Sequence, residues 1–280
     1  MTLASADAVK ALRDRTGAGM MDCKAALLES QGDLEKAIDY LRKKGVASAA
    51  KRAGREAKEG VVLVKVNGAK AALVEANCET DFVAKTDDFK NLAAAALEEA
   101  FVSGENAPNA QKISATVELL SGKIGEKIMI RRAKLVQSSG GTLFAYTHSN
   151  NKLGVVVELS SGKPETAKAP AFQELGTNIA MQVAASSPLA VVRAGVPQAQ
   201  VDREKEIYKE EIKGKPENIV EKILQGKLSK FYQTVCLTEQ AYIKDDKQSV
   251  QQIIDAAAKA LGDKVEVKSF TRVQLGENLS

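Results

Sequence analysis

The spacing of apolar residues changes near Gly60, and this change constrains the fold more than any other feature of the sequence. Upstream, the apolar residues within 34–41 recur at i, i+3, i+4 and i+7, which is the period of an amphipathic helix. Downstream, every second residue from Val62 to Val66 is a valine, which is the period of a strand. We therefore predict an α+β fold.

Residues 1–58 are predicted to form an N-terminal helical domain. Glycine turns separate three short helices, whose apolar positions are Val9 and Leu12, then Cys23, Ala26 and Leu27, then the stripe at 34–41. Asp33 fits the N-cap of the third helix, and Gly45 fits the position after its end. A fourth helix is predicted over 46–58. A three-helix bundle of this size usually binds other proteins.

The part of the chain after Gly60 contains the same order of elements twice. Asn67-Gly68 predicts a hairpin turn, followed by a return strand over 70–77 and a helix over 87–101. A second hairpin, across Asn150-Asn151, is followed by a helix whose inward positions are Phe172, Leu175, Ile179 and Val183.

A shorter repeat supports this duplication. Segment 124–131 resembles segment 261–268, which lies 137 positions later, whereas the two hairpins begin only 81 positions apart. The difference of 56 residues indicates an insertion in the second copy. We predict a duplicated hairpin–helix–strand core with two subdomains, at 59–140 and 141–280.

The insertion is predicted at about 196–232. Val201, Tyr208 and Ile212 are spaced by seven and four residues, Gly214-Lys215-Pro216 interrupts the pattern, and apolar positions resume at Val220. This spacing predicts an antiparallel coiled-coil arm. Two ordinary surface helices packed on the core are the alternative.

The composition argues against several classes of site. Three widely separated cysteines and a single histidine predict buried reduced thiols and no metal site. The sequence contains neither GxxxxGK[ST] nor GxGxxG, so a phosphate cradle and a bound cofactor are not expected. An enzyme is the weaker class. No apolar run approaches the roughly 20 residues of a membrane span, so a cytoplasmic protein is expected.

A basic run follows the first helices. Its members are Arg42, Lys43, Lys44, Lys51, Arg52, Arg55 and Lys58. It could contact nucleic-acid phosphates, or it could be a solvated or protein-binding helix face. No aromatic residues interleave with it, as binding to a single strand would need, so direct nucleic-acid binding is not expected. An RNA-binding or ribosome-associated protein remains the alternative function.

The hexapeptide at 80–85 reads Thr-Asp-Phe-Val-Ala-Lys and directly follows a predicted strand. It places Phe82 in a polar stretch of a chain with few aromatic residues. It contains no nucleophile–base pair, no metal-ligand cluster and no glycine cradle. We predict a contact with another protein.

A second distinctive segment, at 13–27, reads Arg-Asp-Arg-Thr-Gly-Ala-Gly-Met-Met-Asp-Cys-Lys-Ala-Ala-Leu. This segment and the hexapeptide resemble two signatures of the bacterial elongation factor Ts family. The match continues in order through segments 124–126 and 130–132, His148, segment 183–186 and then the predicted arm. The resemblance covers essentially the whole chain. It implies a ubiquitin-associated-like N-terminal bundle and a two-subdomain core.

The resemblance also implies a function, guanine-nucleotide exchange on elongation factor Tu in its GDP-bound and nucleotide-free states. It implies that a first group of residues disturbs the partner's Mg²⁺ site: Thr80, Asp81, Phe82 and Val83. A second group is implied to contact the partner: Arg13, Met20, Met21, Ile124, Gly125, Glu126 and His148. Met20 or Met21 could instead be core residues.

The complex could be 1:1 or 2:2. Some family members continue into a C-terminal helix, a contact not expected in a sequence ending at Ser280.

Overall fold

The computed structural model describes residues 4–52, 54–212 and 216–278. Mixed helices and small sheets within these residues confirm the predicted α+β class. The helices are α1 (Ala6–Thr16), α2 (Met20–Glu29), α3 (Leu34–Arg52), α4 (Asp81–Ala84), α5 (Asp87–Ser103), α6 (Gln111–Ile124), α7 (Pro170–Ser186), α8 (Gln198–Glu211), α9 (Glu217–Val235) and α10 (Val250–Leu261). The strands are β1 (Glu59–Asn67), β2 (Lys70–Cys78), β3 (Met129–Gln137), β4 (Thr142–Thr147), β5 (Leu153–Ser161), β6 (Ala241–Tyr242), β7 (Asp245–Ser249) and β8 (Val265–Gln274).

The chain divides into two compact units. Unit 1 contains the described residues of Met1–Leu63, Ala72–Leu135 and Gln274–Ser280. Unit 2 contains those of Val64–Ala71 and Val136–Val273. The finer division into domains at 1–58, 59–140 and 141–280 stays a prediction.

Helix α1 is capped at both ends. The Ser5 hydroxyl accepts a hydrogen bond from Ala8 N at 3.2 Å at the start of α1. Gly17 ends α1 with a left-handed φ of 65°, a conformation that glycine adopts without strain. Helices α1, α2 and α3 share a small core of Val9, Leu12, Cys23, Ala26, Leu27 and Ala37.

Helix α3 continues through Gly45, so the predicted break there, and the separate fourth helix over 46–58, are wrong. Gly45 lies against α6, where a Cβ added to Gly122 would come within 3.2 Å of the Gly45 Cα. The two glycines therefore allow the two helices to approach closely. Residues 46–52 belong to α3, Ala53 lies outside the described residues, and 54–58 are not helical.

The first sheet has the strand order β1–β2–β3. Every residue of the central strand β2 after Lys70 is buried, as expected of a strand covered on both faces. Helices α5 and α6 contribute to the same core, which includes Phe89, Leu92, Ile113 and Ile130. The loop that leaves the buried end of β2 therefore starts from a rigid support.

The second sheet, in unit 2, has the order β4–β5–β8. Strands β4 and β5 are antiparallel, with Thr142 opposite Leu159 and Thr147 opposite Gly154. The rings of Phe144 and Phe172 meet edge to face, 5.7 Å apart, in a core shared with α7 and α10. Strands β6 and β7 form a separate two-stranded sheet.

Helices α8 and α9 occupy the predicted insertion and contact each other. Lys227 pairs with Glu211, and its ammonium lies 5.1 Å from the centre of the Tyr208 ring. Val201, Val196 and Cys236 are buried in a small core of their own. Pro216 is the N-cap of α9, whereas Gly214 and Lys215 of the predicted break lie outside the described residues.

All three cysteines, Cys23, Cys78 and Cys236, are buried and unpaired, as predicted. Within the described ranges, no helix combines the length and the apolar character needed to cross a membrane.

Candidate partner-contact site

The side chain of Phe82 is 77% exposed, although it is one of the largest apolar groups in the chain. It lies in α4, a single helical turn that begins at the third residue after the end of β2. Its neighbours Val83 and Ala84 are only 7% and 8% exposed and pack into the first core. Burial of these two residues fixes the turn so that Phe82 points to solvent. Phe82 is therefore not a core residue.

Thr80 determines where the turn starts. Its backbone is extended, with φ −124° and ψ 153°, and its hydroxyl accepts a hydrogen bond from Val83 N at 3.4 Å. Threonine is a favourable N-cap because its hydroxyl satisfies an amide that the first turn leaves without a partner. The hexapeptide at 80–85 thus contains a capped helical turn.

Asp81 and Lys85 lie on either side of the exposed ring. The Lys85 ammonium is 2.6 Å from the Asp81 carboxylate and 6.0 Å from the centre of the Phe82 ring. Both charged side chains are at least half exposed. An exposed ion pair of this kind contributes about 0–1 kcal/mol, so Asp81 can change partners at low cost.

Glu126 lies directly behind the turn. Its carboxylate accepts hydrogen bonds from Thr80 N at 3.0 Å and from the Thr80 hydroxyl at 2.6 Å. A further hydrogen bond joins the same two segments with donor and acceptor exchanged: Lys127 N donates to the Glu79 carboxylate at 2.6 Å. This backbone hydrogen bond is the main reason that the pKa of Glu79 is below its usual value, with Arg55 adding to the effect.

Cys78 fixes the start of the loop. Its thiol donates to the Thr80 carbonyl, with sulfur and oxygen 3.1 Å apart. Burial, reinforced by the charge of Glu126, raises the pKa of Cys78 to about 12, so the thiol stays protonated at neutral pH. Cys78 is therefore a hydrogen-bond donor in the support of the turn rather than a nucleophile.

The predicted partner residues of the N-terminal helices are exposed. Met20 and Met21 are 60% and 75% exposed, so neither belongs to the core, and Arg13 is also exposed. Arg13 lies in α1 and the two methionines begin α2. All three belong to unit 1, as do Thr80, Asp81, Phe82 and Val83.

The remaining predicted residues have different environments. Ile124 is half-buried against the first core, and Gly125 ends α6 with a left-handed φ of 86°. Val83 is buried and Glu126 is bonded to Thr80, so both act within their own chain here. His148, in unit 2, is exposed at the end of β4, and its Nδ1 is 3.1 Å from the Tyr146 hydroxyl.

The pairing of Glu126 with Thr80 was not predicted from sequence, because the two residues are 46 positions apart. Among the described residues, no group of three or more His, Cys, Asp or Glu is placed to hold a metal ion. The site thus offers a rigidly supported aromatic ring and carboxylate.

The family model described as Elongation factor TS matches residues 79–277, which include the whole of this turn together with Glu79 and Glu126. The chain belongs to the elongation factor Ts family. An elongation factor Ts from Prosthecochloris aestuarii is 46% identical over 99% of this chain and all of its own length. The same values apply to one from Chlorobium phaeobacteroides. One from Desulfovibrio desulfuricans is 45% identical over 98% of this chain and 99% of its own. Elongation factor Ts proteins are factors of translation elongation and not enzymes, which confirms the predicted class.

Proposed function

We propose that this chain is a guanine-nucleotide exchange factor that accelerates the release of GDP from elongation factor Tu, so that GTP can load. The observation that carries the proposal is the exposed Phe82 beside Asp81 on a fixed turn, in a member of the elongation factor Ts family. A large exposed apolar side chain on a rigid support is what a protein contact needs.

In the proposed mechanism, Thr80, Asp81, Phe82 and Val83 act as one unit on the partner's Mg²⁺ site. The ring of Phe82 and the carboxylate of Asp81 enter beside the ion, while Thr80 and Val83 hold the turn. Mg²⁺ requires near-octahedral oxygen ligands at about 2.0–2.1 Å, so a small displacement of its surroundings weakens its binding. Loss of the ion leaves the phosphates of GDP less neutralised, and GDP dissociates faster.

Exchange follows from coupled binding. If the factor weakens the binding of nucleotide to its partner, nucleotide must weaken the binding of the factor by the same free energy. The factor therefore binds the GDP complex, stabilises the nucleotide-free state and is released when GTP binds. No covalent step in this chain is needed.

The other predicted contacts give the factor its affinity. Arg13, Met20 and Met21 would bind the partner's nucleotide domain, and their exposure supports this role. Methionine suits such a surface because its flexible thioether adapts to irregular apolar contacts. Ile124, Gly125 and Glu126 would lie beside the inserted turn, and His148 would reach a segment near the phosphate-binding loop.

We further propose that the core is duplicated, that the N-terminal helices form a ubiquitin-associated-like bundle, and that α8 and α9 form a coiled-coil arm that extends the binding surface. The two central strands support the duplication. Strands β2 and β5 each have nine residues, and each carries a buried glutamate at its sixth position, Glu75 and Glu158.

Side-chain contacts in the basic run favour the protein-binding proposal over RNA binding. Three of its cations pair with carboxylates: Lys44 with Asp22, Arg55 with Glu79 and Lys58 with Glu56. Arg52 donates to the Ser121 carbonyl at 3.2 Å. Charges engaged in this way are less available to phosphates. We propose a cytoplasmic factor without direct nucleic-acid binding, in a 1:1 or 2:2 complex that sedimentation can distinguish.

The release of a fluorescent GDP analogue from purified elongation factor Tu tests the proposal. Micromolar concentrations of the chain should accelerate release in a saturable way at millimolar Mg²⁺. With Mg²⁺ removed by a chelator, release should already be fast and the chain should add little, because its target is gone. No acceleration at millimolar Mg²⁺ would refute exchange activity. Salt-sensitive RNA binding without any effect on nucleotide would favour the alternative.

A further inference from the structure

We infer that Glu126 is a positioning residue, whose carboxylate holds the Asp81–Phe82 turn in its displayed conformation from within the same chain. The inference rests on the proposed exchange function of Phe82. It assigns Glu126 a role different from the direct partner contact that the family resemblance implies.

Both carboxylate oxygens of Glu126 are used by Thr80. One accepts from the backbone amide at 3.0 Å, and the other accepts from the hydroxyl at 2.6 Å. Because the hydroxyl donates to Glu126, its lone pairs are directed to Val83 N, 3.4 Å away. A continuous series of hydrogen bonds thus runs from Glu126 through Thr80 into the first turn of α4.

Glu126 is itself held in place. Its carbonyl accepts from the Ser121 hydroxyl at 2.6 Å, and Gly125 before it closes α6 through a hydrogen bond from Gly125 N to the Ser121 carbonyl at 3.0 Å. On its other side, Lys127 N donates to Glu79. Residues 125–127 therefore present the carboxylate from a fixed backbone.

Unit 2 contains a corresponding acid beside the loop after β5, and that loop has no aromatic residue at 162–165. Asp263 follows Gly262, which ends α10 with a left-handed φ of 60°, just as Glu126 follows Gly125. The Asp263 carboxylate accepts from Lys163 N at 2.9 Å. Lys163 is the second residue after β5, as Thr80 is the second residue after β2. An acid at this position therefore fixes the loop after a central strand, whether or not that loop has a partner.

The turn needs this support because it is short. A four-residue helix is unstable by itself, since nucleation fixes several dihedral angles for very few hydrogen bonds. A ring that is already held in its bound conformation loses less conformational entropy on insertion. Removal of the Glu126 carboxylate should therefore loosen the display of Phe82 without removing any contact atom of Phe82.

Amide hydrogen exchange in the free chain tests the support without any partner. Glu126→Ala should speed exchange at Val83, Ala84 and Lys85 by about tenfold. The matched control is Asp263→Ala, which should speed exchange around Lys163 and leave α4 unchanged. Thr80→Val, which removes only the hydroxyl, should reproduce part of the Glu126→Ala effect, and Thr80→Ser should not. Unchanged protection of α4 in Glu126→Ala would overturn the inference.

Nucleotide release then separates positioning from direct contact. Glu126→Ala should lower the maximal rate of GDP release about tenfold and change the half-saturating concentration less than about threefold. Combined with Phe82→Ala, it should add little to the loss caused by Phe82→Ala alone, because both changes act through the same ring. Glu126→Gln, which keeps one acceptor oxygen, should recover part of the rate.

Other outcomes have distinct meanings. Additive losses in the double variant, or a raised half-saturating concentration with α4 still protected, would show a direct partner contact and overturn the inference. Failure of the unaltered chain to accelerate release would refute the proposed function instead. The hydrogen-exchange comparison would still decide whether Glu126 supports the turn.

Discussion

The loops after β2 and β5 have similar supports but different exposed residues. Each loop follows a nine-residue strand that has a buried glutamate at its sixth position. The second residue of each loop, Thr80 or Lys163, donates a backbone hydrogen bond to an acid, Glu126 or Asp263, that follows a glycine with a left-handed φ. Two residues further on, the first loop displays Phe82 and the second displays Glu165. The shared features therefore belong to the fold, and the feature that differs is the candidate for function.

The two buried glutamates are stabilised by different groups. Glu75, with 0% exposure, lies 3.1 Å from Arg131 and 2.6 Å from Arg132, and accepts from Gly276 N at 2.8 Å. Glu158 meets no cation in its hydrogen bonds with segment 138–141. Its Oε1 accepts from the Ser138 hydroxyl and from the Ser139 and Gly141 amides. The first site is a buried ion-pair network, and the second is a carboxylate held by uncharged hydrogen-bond donors.

The largest predicted effect is at the first of these sites. Glu75→Gln should lower the free energy of unfolding by about 3–5 kcal/mol, because it leaves two partly buried guanidinium groups without a counter-charge. Chemical denaturation of the variant and the unaltered chain measures the difference. A loss below about 1 kcal/mol would mean that the two glutamate sites do not differ in this way.

Glu158→Gln should cost less, about 1–3 kcal/mol, because the amide keeps one acceptor oxygen and no charge is left unpaired. The same denaturation experiment applies. If this variant proved less stable than Glu75→Gln, the distinction between a carboxylate paired with cations and one held by uncharged donors would be wrong.

A second pair of variants compares the two glycines that precede Glu126 and Asp263. Gly125→Ala and Gly262→Ala should each cost about 1 kcal/mol of stability, because φ values of 86° and 60° disfavour a side chain, although neither Cβ would meet another atom within 4 Å. Only Gly125→Ala should also slow GDP release. Thermal denaturation and the release assay check the two parts, and equal slowing by both variants would contradict the assignment of function to the first loop.

The smallest predicted effect is a dependence on pH. Burial by itself would raise the pKa of Glu158, but hydrogen bonds from Gly141 N and from Ser138 and Ser139 hold this pKa below its usual value. The stability that these hydrogen bonds contribute is therefore fully present above the ordinary pKa of glutamate, about 4.3, and is lost as the pH falls through the pKa of Glu158 in the folded chain. The difference in melting temperature between the unaltered chain and Glu158→Gln should shrink as the pH falls below about 4. A difference that stays constant from pH 7 to pH 3 would refute this.

Local sequence patterns predicted much of the fold. Alternation and the Asn67-Gly68 turn located the first hairpin, and apolar spacing located α5 and α7. The continuation of α3 through Gly45 was missed, because a glycine inside a helix depends on what packs against it. Here that neighbour is Gly122, 77 positions away in the chain.

The site was only partly predictable, for a similar reason. The residue types at 80–85 predicted a contact segment and the structure exposes Phe82 there, but the support from Glu126 depends on a tertiary contact. A signal for it was present in the repeat of segments 124–131 and 261–268, where an acid follows a glycine in both copies. From sequence alone the repeat indicates only duplication. The shared role of its acids is visible only in the structure, where each accepts a hydrogen bond from the loop after a central strand.

One matched pair of variants tests whether the exposed ring on the first loop drives exchange. Phe82→Ala should reduce the acceleration of GDP release by about 30-fold or more, the size expected for a contact residue worth about 2 kcal/mol. Its melting temperature should stay within about 2 °C of the unaltered chain, because the side chain is 77% exposed. Glu165→Ala, at the corresponding exposed position after β5, should change neither quantity. Full exchange activity in Phe82→Ala, or an equal loss in both variants, would contradict this role of the ring.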